Sequence, residues 1–429
     1  MHKFLYREGR LFCEDVALEE VSRQVGTPVY VYSANTMREN FRRLARAFSS
    51  IEHMICFAVK ANSNLAVLKL LAEEGAGFDI VSAGELHRVV RAGGQPSQAT
   101  FAGVGKTEEE IELALRSRVY SINVESEPEL ERIGAVASAL GIRAPIAVRI
   151  NPDVDAGTHE FISTGKSKNK FGIGYDRALE VYERAAAMPN LQIRGVQTHI
   201  GSQILETAPF AQAVGKLSPI IQTLKTRYAI EFFSIGGGMG IVYKDALASG
   251  SPEWWRSPER QTPITPESYA TTLLPMLEPL GLRILLEPGR FIVGNAGALI
   301  TTVQYVKSTP QKTFVITDAA MNDLIRPALY DGWHEIVPIR HSGNHLPLRE
   351  VDIVGPVCES GDFLAKGREM GGVESGCQLA VLSAGAYGAV MASNYNSRPL
   401  VPEVLVDRDS WRVVRRRQTL DEMLATENP

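Results

Sequence analysis

The residues best placed to do chemistry sit in the stretch Cys56-Phe57-Ala58-Val59-Lys60-Ala61-Asn62. An apolar run from Met54 to Val59 reads as a buried strand of a parallel sheet, and it ends on a lysine. A desolvated amine loses its proton readily and can then form a Schiff base with an aldehyde. Taken by itself, Lys60 is more simply a strand-end side chain whose ammonium reaches water. Three further stretches change that reading. Gly236-Gly237-Gly238-Met239-Gly240 could let backbone amides converge on a phosphate with no side chains in the way. Glu287 ends the apolar Ile284-Leu285-Leu286 and is followed by Pro288, Gly289 and Arg290. Its carboxylate either pairs with Arg290 or faces the ring nitrogen of an aromatic cofactor. The third stretch is Thr198-His199-Ile200-Gly201-Ser202-Gln203.

The elements that must position these residues alternate β-rich runs with amphipathic helical stretches, the signature of a parallel sheet with crossover helices. Strands are predicted over 54–59, 77–81, 99–102, 119–124, 145–150, 193–199, 231–235 and 283–287. The intervening helices carry Leu65, Leu68 and Leu71, then Leu86, Val89 and Val90, on their inward faces. Thr107 with Glu110, and Ser126 with Glu129, have the spacing of capping boxes. Eight units in unbroken alternation, over about 230–260 residues, make a closed (β/α)8 barrel of the TIM type. Active sites of such barrels lie at the carboxyl ends of the strands. Those ends carry Lys60, Asp79, Gly103, Asn123, Arg149, His199, the triple glycine and Glu287–Arg290. A lysine amine, a phosphate cup and a ring-nitrogen carboxylate on one rim specify pyridoxal 5'-phosphate. His199 would stack on the ring face, with Ser202 near the phosphate. The polar stretch 151–172 follows a barrel strand and is a candidate lid, or equally a surface loop.

After Arg290 the pattern becomes β-rich runs separated by turns, with one short helix near Leu420. This predicts an all-β sandwich or Greek-key domain. The division expected is a barrel over 27–288, with 1–26 and 289–429 forming the second domain. Three loops there are too polar to be only connectors: 318–330, 355–362 and 383–395.

The chain of 429 residues is 45% hydrophobic and 22% charged with a net charge of −4, so it lacks the basic footprint of nucleic-acid binding. Four cysteines without Cys-x-x-Cys spacing argue against a zinc site or a disulfide framework, and for a reducing cytoplasm. No apolar run approaches the length of a membrane span.

Over nearly its whole length the chain resembles the barrel-type (fold type III) pyridoxal-phosphate decarboxylases, and within them the branch acting on meso-diaminopimelate. The resemblance is carried by Phe57–Asn62, His199–Gln203, Gly236–Gly240, Glu287–Arg290, Leu324–Tyr330, Cys358–Asp362 and Ala384–Gly388, with Asn394–Pro399 also similar. It implies that Lys60 is the Schiff-base lysine. It places Asp79, Arg149, His199, Ser202, Gly236, Gly237, Gly238, Glu287, Gly289 and Arg290 around the cofactor. It gives the substrate's distal carboxylate to Arg290, Arg326 and Tyr330, and its distal ammonium to Glu359. Cys358 would protonate the carbanion, and Tyr387 would contact cofactor and substrate. A homodimer with shared active sites is implied as well. The rivals are decarboxylases for ornithine, arginine or carboxynorspermidine, an amino-acid racemase, or a non-catalytic pyridoxal-phosphate carrier. Arg326 with Glu359 argues against ornithine and arginine, since a simple diamine product needs no arginine at the far end. The Cys358-Glu359 loop argues against a racemase, and the second domain against a carrier.

Overall fold

The computed structural model describes residues 2–157, 169–257, 263–341 and 348–428. Half of the segment expected to form a lid, residues 158–168, lies outside them. Two compact units result: Glu39–Ile241 with Pro263–Phe291, and Met1–Arg38 with Val242–Thr262 and Ile292–Pro429.

In the first unit eight parallel strands close on themselves. They are β1 (His53–Ala58), β2 (Gly77–Ile80), β3 (Ala99–Phe101), β4 (Ser121–Val124), β5 (Ala144–Asn151), β6 (Leu191–Gln197), β7 (Phe232–Ser234) and β8 (Arg283–Leu286). Each pairs with the next, and β8 returns to β1 with Leu286 opposite Ile55. The register sets Ala58 beside Asp79, Arg149 beside Gln197, and Gln197 beside Ser234. One rim therefore collects the polar strand ends. The strands themselves are almost wholly buried, as expected for a parallel sheet covered on its outer face by helices.

Between β1 and β2 the helix Leu65–Glu73 buries Val67, Leu68, Leu70 and Leu71, while Leu65 is exposed. The next helix, Ala83–Arg91, buries Leu86 and Val89 and leaves Val90 in water. Both differences have one cause. The buried stripe of a short helix is narrow, so an apolar residue a step off its centre turns outward. Thr107 and Glu110 form the expected capping box. Ser126 caps its helix through the Glu129 N–H, but the Glu129 carboxylate does not reach back to complete a box. It goes instead to the Lys106 ammonium and the Glu125 N–H.

The second unit is mostly sheet. Its main sheet runs in the spatial order Phe363–Met370, Arg349–Val354, Thr313–Thr317, Gly297–Ser308, Val29–Ser33, Glu403–Asp407 and Ser410–Arg415. Gln378–Val381 joins Gly297–Ser308 to Ile336–Pro338. Two strands here were not anticipated. Val29–Ser33 lies inside the span expected for the barrel, yet it pairs with Gly297–Ser308 and Glu403–Asp407. Its partners lie more than 260 residues away, and local alternation carries no information on which sheet a strand will join. Phe363–Met370 contains Gly367 and the charged Lys366, Arg368 and Glu369, which hide its apolar character. The unit also takes in Val242–Thr262, so the expected boundaries at 27 and 288 differ from the observed division at both ends.

Candidate active site

Lys60 follows β1 in a single 3-10 turn, Val59–Ala61. Its ammonium is ion-paired to the Asp79 carboxylate at the end of β2. The side chain of Lys60 is 40% accessible and that of Asp79 only 2%, so the amine is held by a buried counter-ion rather than stripped of water. That corrects the expectation of a desolvated lysine. Asp79 Oδ1 finds no hydrogen-bond partner among the described residues.

Glu287 is buried just beyond β8. It accepts hydrogen bonds from Ser234 Oγ at 2.6 Å and Gln197 Nε2 at 3.0 Å. Burial, reinforced by the nearby Asp79 charge, pushes its carboxyl up to about 7; Ser234, Lys60 and Gln197 oppose the rise without cancelling it. A carboxyl in that condition suits a protonated aromatic nitrogen, whose positive charge would favour the ionised form. The alternative pairing of Glu287 with Arg290 is not what the site shows. Arg290 instead donates through Nη2 to Ser202 Oγ at 3.1 Å.

His199 is half-buried. Desolvation, with the positive charges of Arg149 and Lys60, holds it well below the usual imidazole range, and Nδ1 accepts the Gly237 N–H at 3.2 Å. A neutral ring results, apt for stacking. Arg149, at the end of β5, donates from Nη1 to Glu125 Oε1 at 2.9 Å and lies over the Phe171 ring. Arg149 Nη2 and Gln197 Oε1 are further buried polar atoms without a partner among the described residues. A polar ligand at this rim would satisfy them.

The triple glycine has a packing reason as well as a chemical one. Gly236 (φ +72°) and Gly238 (φ +118°) occupy backbone space that other residues rarely adopt. A Cβ on Gly237 would lie 2.1 Å from the Glu287 carbonyl oxygen. The loops after β6, β7 and β8 are thus in backbone contact. The Gln203 side chain extends this, donating to the Ile241 carbonyl at 2.8 Å and accepting its N–H at 3.1 Å. Gly289 is likewise seated against Ala58 and Ala61 beside the lysine turn.

In the second unit, Arg326 and Tyr330 are the first and last residues of one helical turn, on the same face. Arg326 is buried, donates from Nη1 to His334 Nε2 at 2.7 Å and lies 4.5 Å from the Tyr243 ring centroid. Cys358 and Glu359 sit exposed on the loop before Phe363–Met370. Buried Asp362 shapes that loop by accepting the Met321 and Val357 N–H groups at 2.7 Å each. Asn396 Oδ1 accepts the Cys358 N–H at 3.1 Å, and the Tyr395 hydroxyl donates to Glu359 Oε2 at 2.9 Å. Tyr387 holds a left-handed backbone (φ +54°) in the loop after Gln378–Val381.

Among the expected residues, the first unit gathers Lys60, Asp79, Arg149, His199, Ser202, Gly236–Gly238, Glu287, Gly289 and Arg290 at one rim. The second unit groups Arg326 with Tyr330, and Cys358 with Glu359. Their partners Gln197, Ser234, Glu125, Tyr243 and His334 were not anticipated. Ser234 is a polar residue closing the apolar Phe232-Phe233, the same signal that marked Lys60, whereas Gln197 ends a strand that already carries Gln192 and Arg194.

Residues 34–294 match the family described as pyridoxal-dependent decarboxylase, pyridoxal binding domain. A diaminopimelate decarboxylase of Vibrio cholerae is 48% identical over 431 residues, covering 100% of this chain and 99% of the relative. A crystal structure of diaminopimelate decarboxylase from Helicobacter pylori complexed with L-lysine is 41% identical, with a TM-score of 0.88 over 96% of this chain and 99% of that one. A second, from M. jannaschii in co-complex with L-lysine, is 34% identical, with a TM-score of 0.90 over 100% and 98%. This chain belongs to the pyridoxal-dependent decarboxylases, and within them to the diaminopimelate decarboxylase family.

Proposed function

We propose that this chain is a diaminopimelate decarboxylase, removing the carboxylate at the D-centre of meso-2,6-diaminopimelate as carbon dioxide and leaving L-lysine. The observation that carries the reading is the pairing of Lys60 with Asp79 at one barrel rim with buried Glu287, in a chain alike along its full length to these enzymes. Bound pyridoxal phosphate supplies an electron sink for the carbanion that decarboxylation leaves. The orphaned buried atoms of Asp79, Arg149 and Gln197 and the neutral His199 fit such a group.

Lys60 Nζ is the covalent attachment point, and Asp79 orients it. Glu287 would serve as the carboxylate partner of the cofactor's ring nitrogen, while Gln197 and Ser234 fix the carboxylate in place. His199 would offer a neutral ring to stack on the cofactor. Arg290, Ser202 and the amides of Gly236–Gly238 hold the phosphate. Arg326 and Tyr330 receive the distal carboxylate of the substrate, with Arg290 nearby, and Glu359 receives its distal ammonium. Tyr387 adds a hydroxyl toward cofactor and substrate. Cys358 Sγ delivers a proton to the α-carbon after carbon dioxide leaves.

The working unit is a homodimer, in which the loop bearing Cys358 and Glu359 completes the barrel mouth of the other copy. The exposure of both residues in the single chain supports this. Four free cysteines support a cytoplasmic setting, and no described helix is long and apolar enough to cross a membrane. A product assay tests the substrate. Incubation with meso-diaminopimelate should yield L-lysine, and ornithine, arginine and carboxynorspermidine should be poor substrates. Preferential turnover of any of those three would overturn the assignment.

A further inference from the structure

Arg326 does not stand alone at its site. The helix Arg326–Tyr330 ends at Asp331, whose left-handed backbone (φ +49°) turns the chain back on itself. Gly332 then packs directly on the Arg326 backbone, donating its N–H to the Arg326 carbonyl at 3.2 Å. The turn delivers His334, fully buried, to the edge of the Arg326 guanidinium. His334 Nδ1 lies 2.8 Å from the Leu382 carbonyl, and Nε2 lies 2.7 Å from Arg326 Nη1. A carbonyl can only accept, so Nδ1 carries the proton. Nε2 is left with its lone pair toward a guanidinium that can only donate. The imidazole is thus neutral and of one tautomer, and its orientation is set from the backbone just past the strand Gln378–Val381. Tyr243 completes the arrangement: its ring meets His334 edge-on at 5.2 Å and 82°, and it covers a face of the guanidinium.

We infer that His334 is a positioning residue for substrate selection. Through the relay from Leu382, it fixes the plane of the Arg326 guanidinium, and with it the angle at which that group meets a carboxylate. The inference rests on the proposed role of Arg326 toward the distal carboxylate. A bidentate grip depends on the angle of the guanidinium, and a long arginine side chain held at one edge and one face has few other rotamers open to it. The distal carboxylate is bound equally before and during the reaction. Loosening the guanidinium should therefore raise KM and leave kcat nearly unchanged.

Two amide variants separate this from a merely structural role. In His334→Asn the amide can still donate to Leu382 but falls short of Arg326. In His334→Gln the amide oxygen can reach the place of Nε2. Loss of one hydrogen bond to a charged group predicts that His334→Asn raises KM for meso-diaminopimelate about tenfold, at near-normal kcat and with an unaltered cofactor absorbance. His334→Gln should recover most of that loss. If His334→Asn does not fold, Tyr243→Leu uncovers the guanidinium without touching the Leu382 contact, and should raise KM likewise. Arg326→Ala, run alongside, distinguishes the two layers of the argument. If Arg326→Ala leaves KM unchanged, the role of Arg326 itself is wrong. If Arg326→Ala raises KM while His334→Asn and Tyr243→Leu do not, or if His334→Asn and His334→Gln behave alike, the positioning role is overturned.

Discussion

The barrel rim and the loops of the second unit hold their functional residues by different means. At the rim, position comes from register: Lys60, Asp79, Arg149 and Glu287 stand on or just past parallel strands of the barrel, and other strand ends supply Gln197 and Ser234. Asp79, Arg149 and Glu287 there are buried, and the half-buried Lys60 is balanced by Asp79. In the second unit, position comes from turns and side-chain tethers. Asp331, Tyr387, Asn396 and Ser397 all have left-handed backbones, and Cys358 and Glu359 are held at an exposed loop by Asn396 and Tyr395. A left-handed non-glycine residue carries a conformational cost that must be offset by what it positions. The contrast assigns two jobs. The rigid, buried rim suits the cofactor chemistry, while the tethered loops suit selection of the substrate and delivery of a proton.

The largest effect should come from the rim. Lys60→Ala removes the proposed attachment point, and turnover should fall by about a thousandfold or more, as when a covalent or proton-transferring group is lost. Borohydride reduction of the wild-type holoenzyme, followed by peptide mapping, should place the label on Lys60. Label on another lysine would move the attachment point elsewhere.

A smaller and different loss should come from the loops. Truncating one partner of a desolvated charged contact typically costs about 2–5 kcal/mol, so Arg326→Ala should lose about 30-fold or more in kcat/KM. Its cofactor spectrum should match the wild type, because the proposed role of Arg326 is toward the substrate. Loss of cofactor from this variant would erase the division of labour.

The smallest effect concerns Glu287 in the cofactor-free chain. Its carboxyl rises from an ordinary 4.5 to about 7 on folding. Between those values the folded chain keeps a proton that the unfolded chain has released. The stability tied to that proton is complete below about 4.5 and is lost as pH rises through about 7. Glu287→Gln should therefore flatten part of the fall in stability across that window. Glu85, raised to about 7, and Asp323, raised to about 6, titrate in the same range, so the difference between wild type and variant is the quantity to measure, by denaturant melts at several pH values. An identical pH slope in the two proteins would contradict the buried state of Glu287.

Most of the rim was legible in the sequence because strand ends announce themselves. An apolar run that stops on Lys60, Asp79 or Glu287 places a charge where only a mouth or a partner can take it. The cofactor's identity followed from Lys60, the triple glycine and Glu287 on one rim. What stayed hidden was supplied by long-range pairing. Val29–Ser33 reads as any buried strand, and only its partners 297–308 and 403–407 say which sheet it joins. Glu125 and His334 were silent for a related reason. Each matters through the arginine it holds, Arg149 or Arg326, and sequence separation says nothing of that contact. The triple glycine was legible as a loop that lets backbones approach, but its close contacts with the Glu287 and Gly201 carbonyls emerge only from the closed barrel.

The account's central claim is that the rim of one copy and the Cys358 loop of another make one site, and subunit mixing tests it most directly. Inactive Lys60→Ala and inactive Cys358→Ala are co-expressed or refolded together. With shared sites, one site of a mixed dimer collects both lesions and the other none. Random pairing puts about half the dimers in that class, so roughly a quarter of wild-type activity should return. If both groups act within a single chain, every site keeps a lesion. Mixed dimers demonstrated in the sample without recovered activity would contradict the claim.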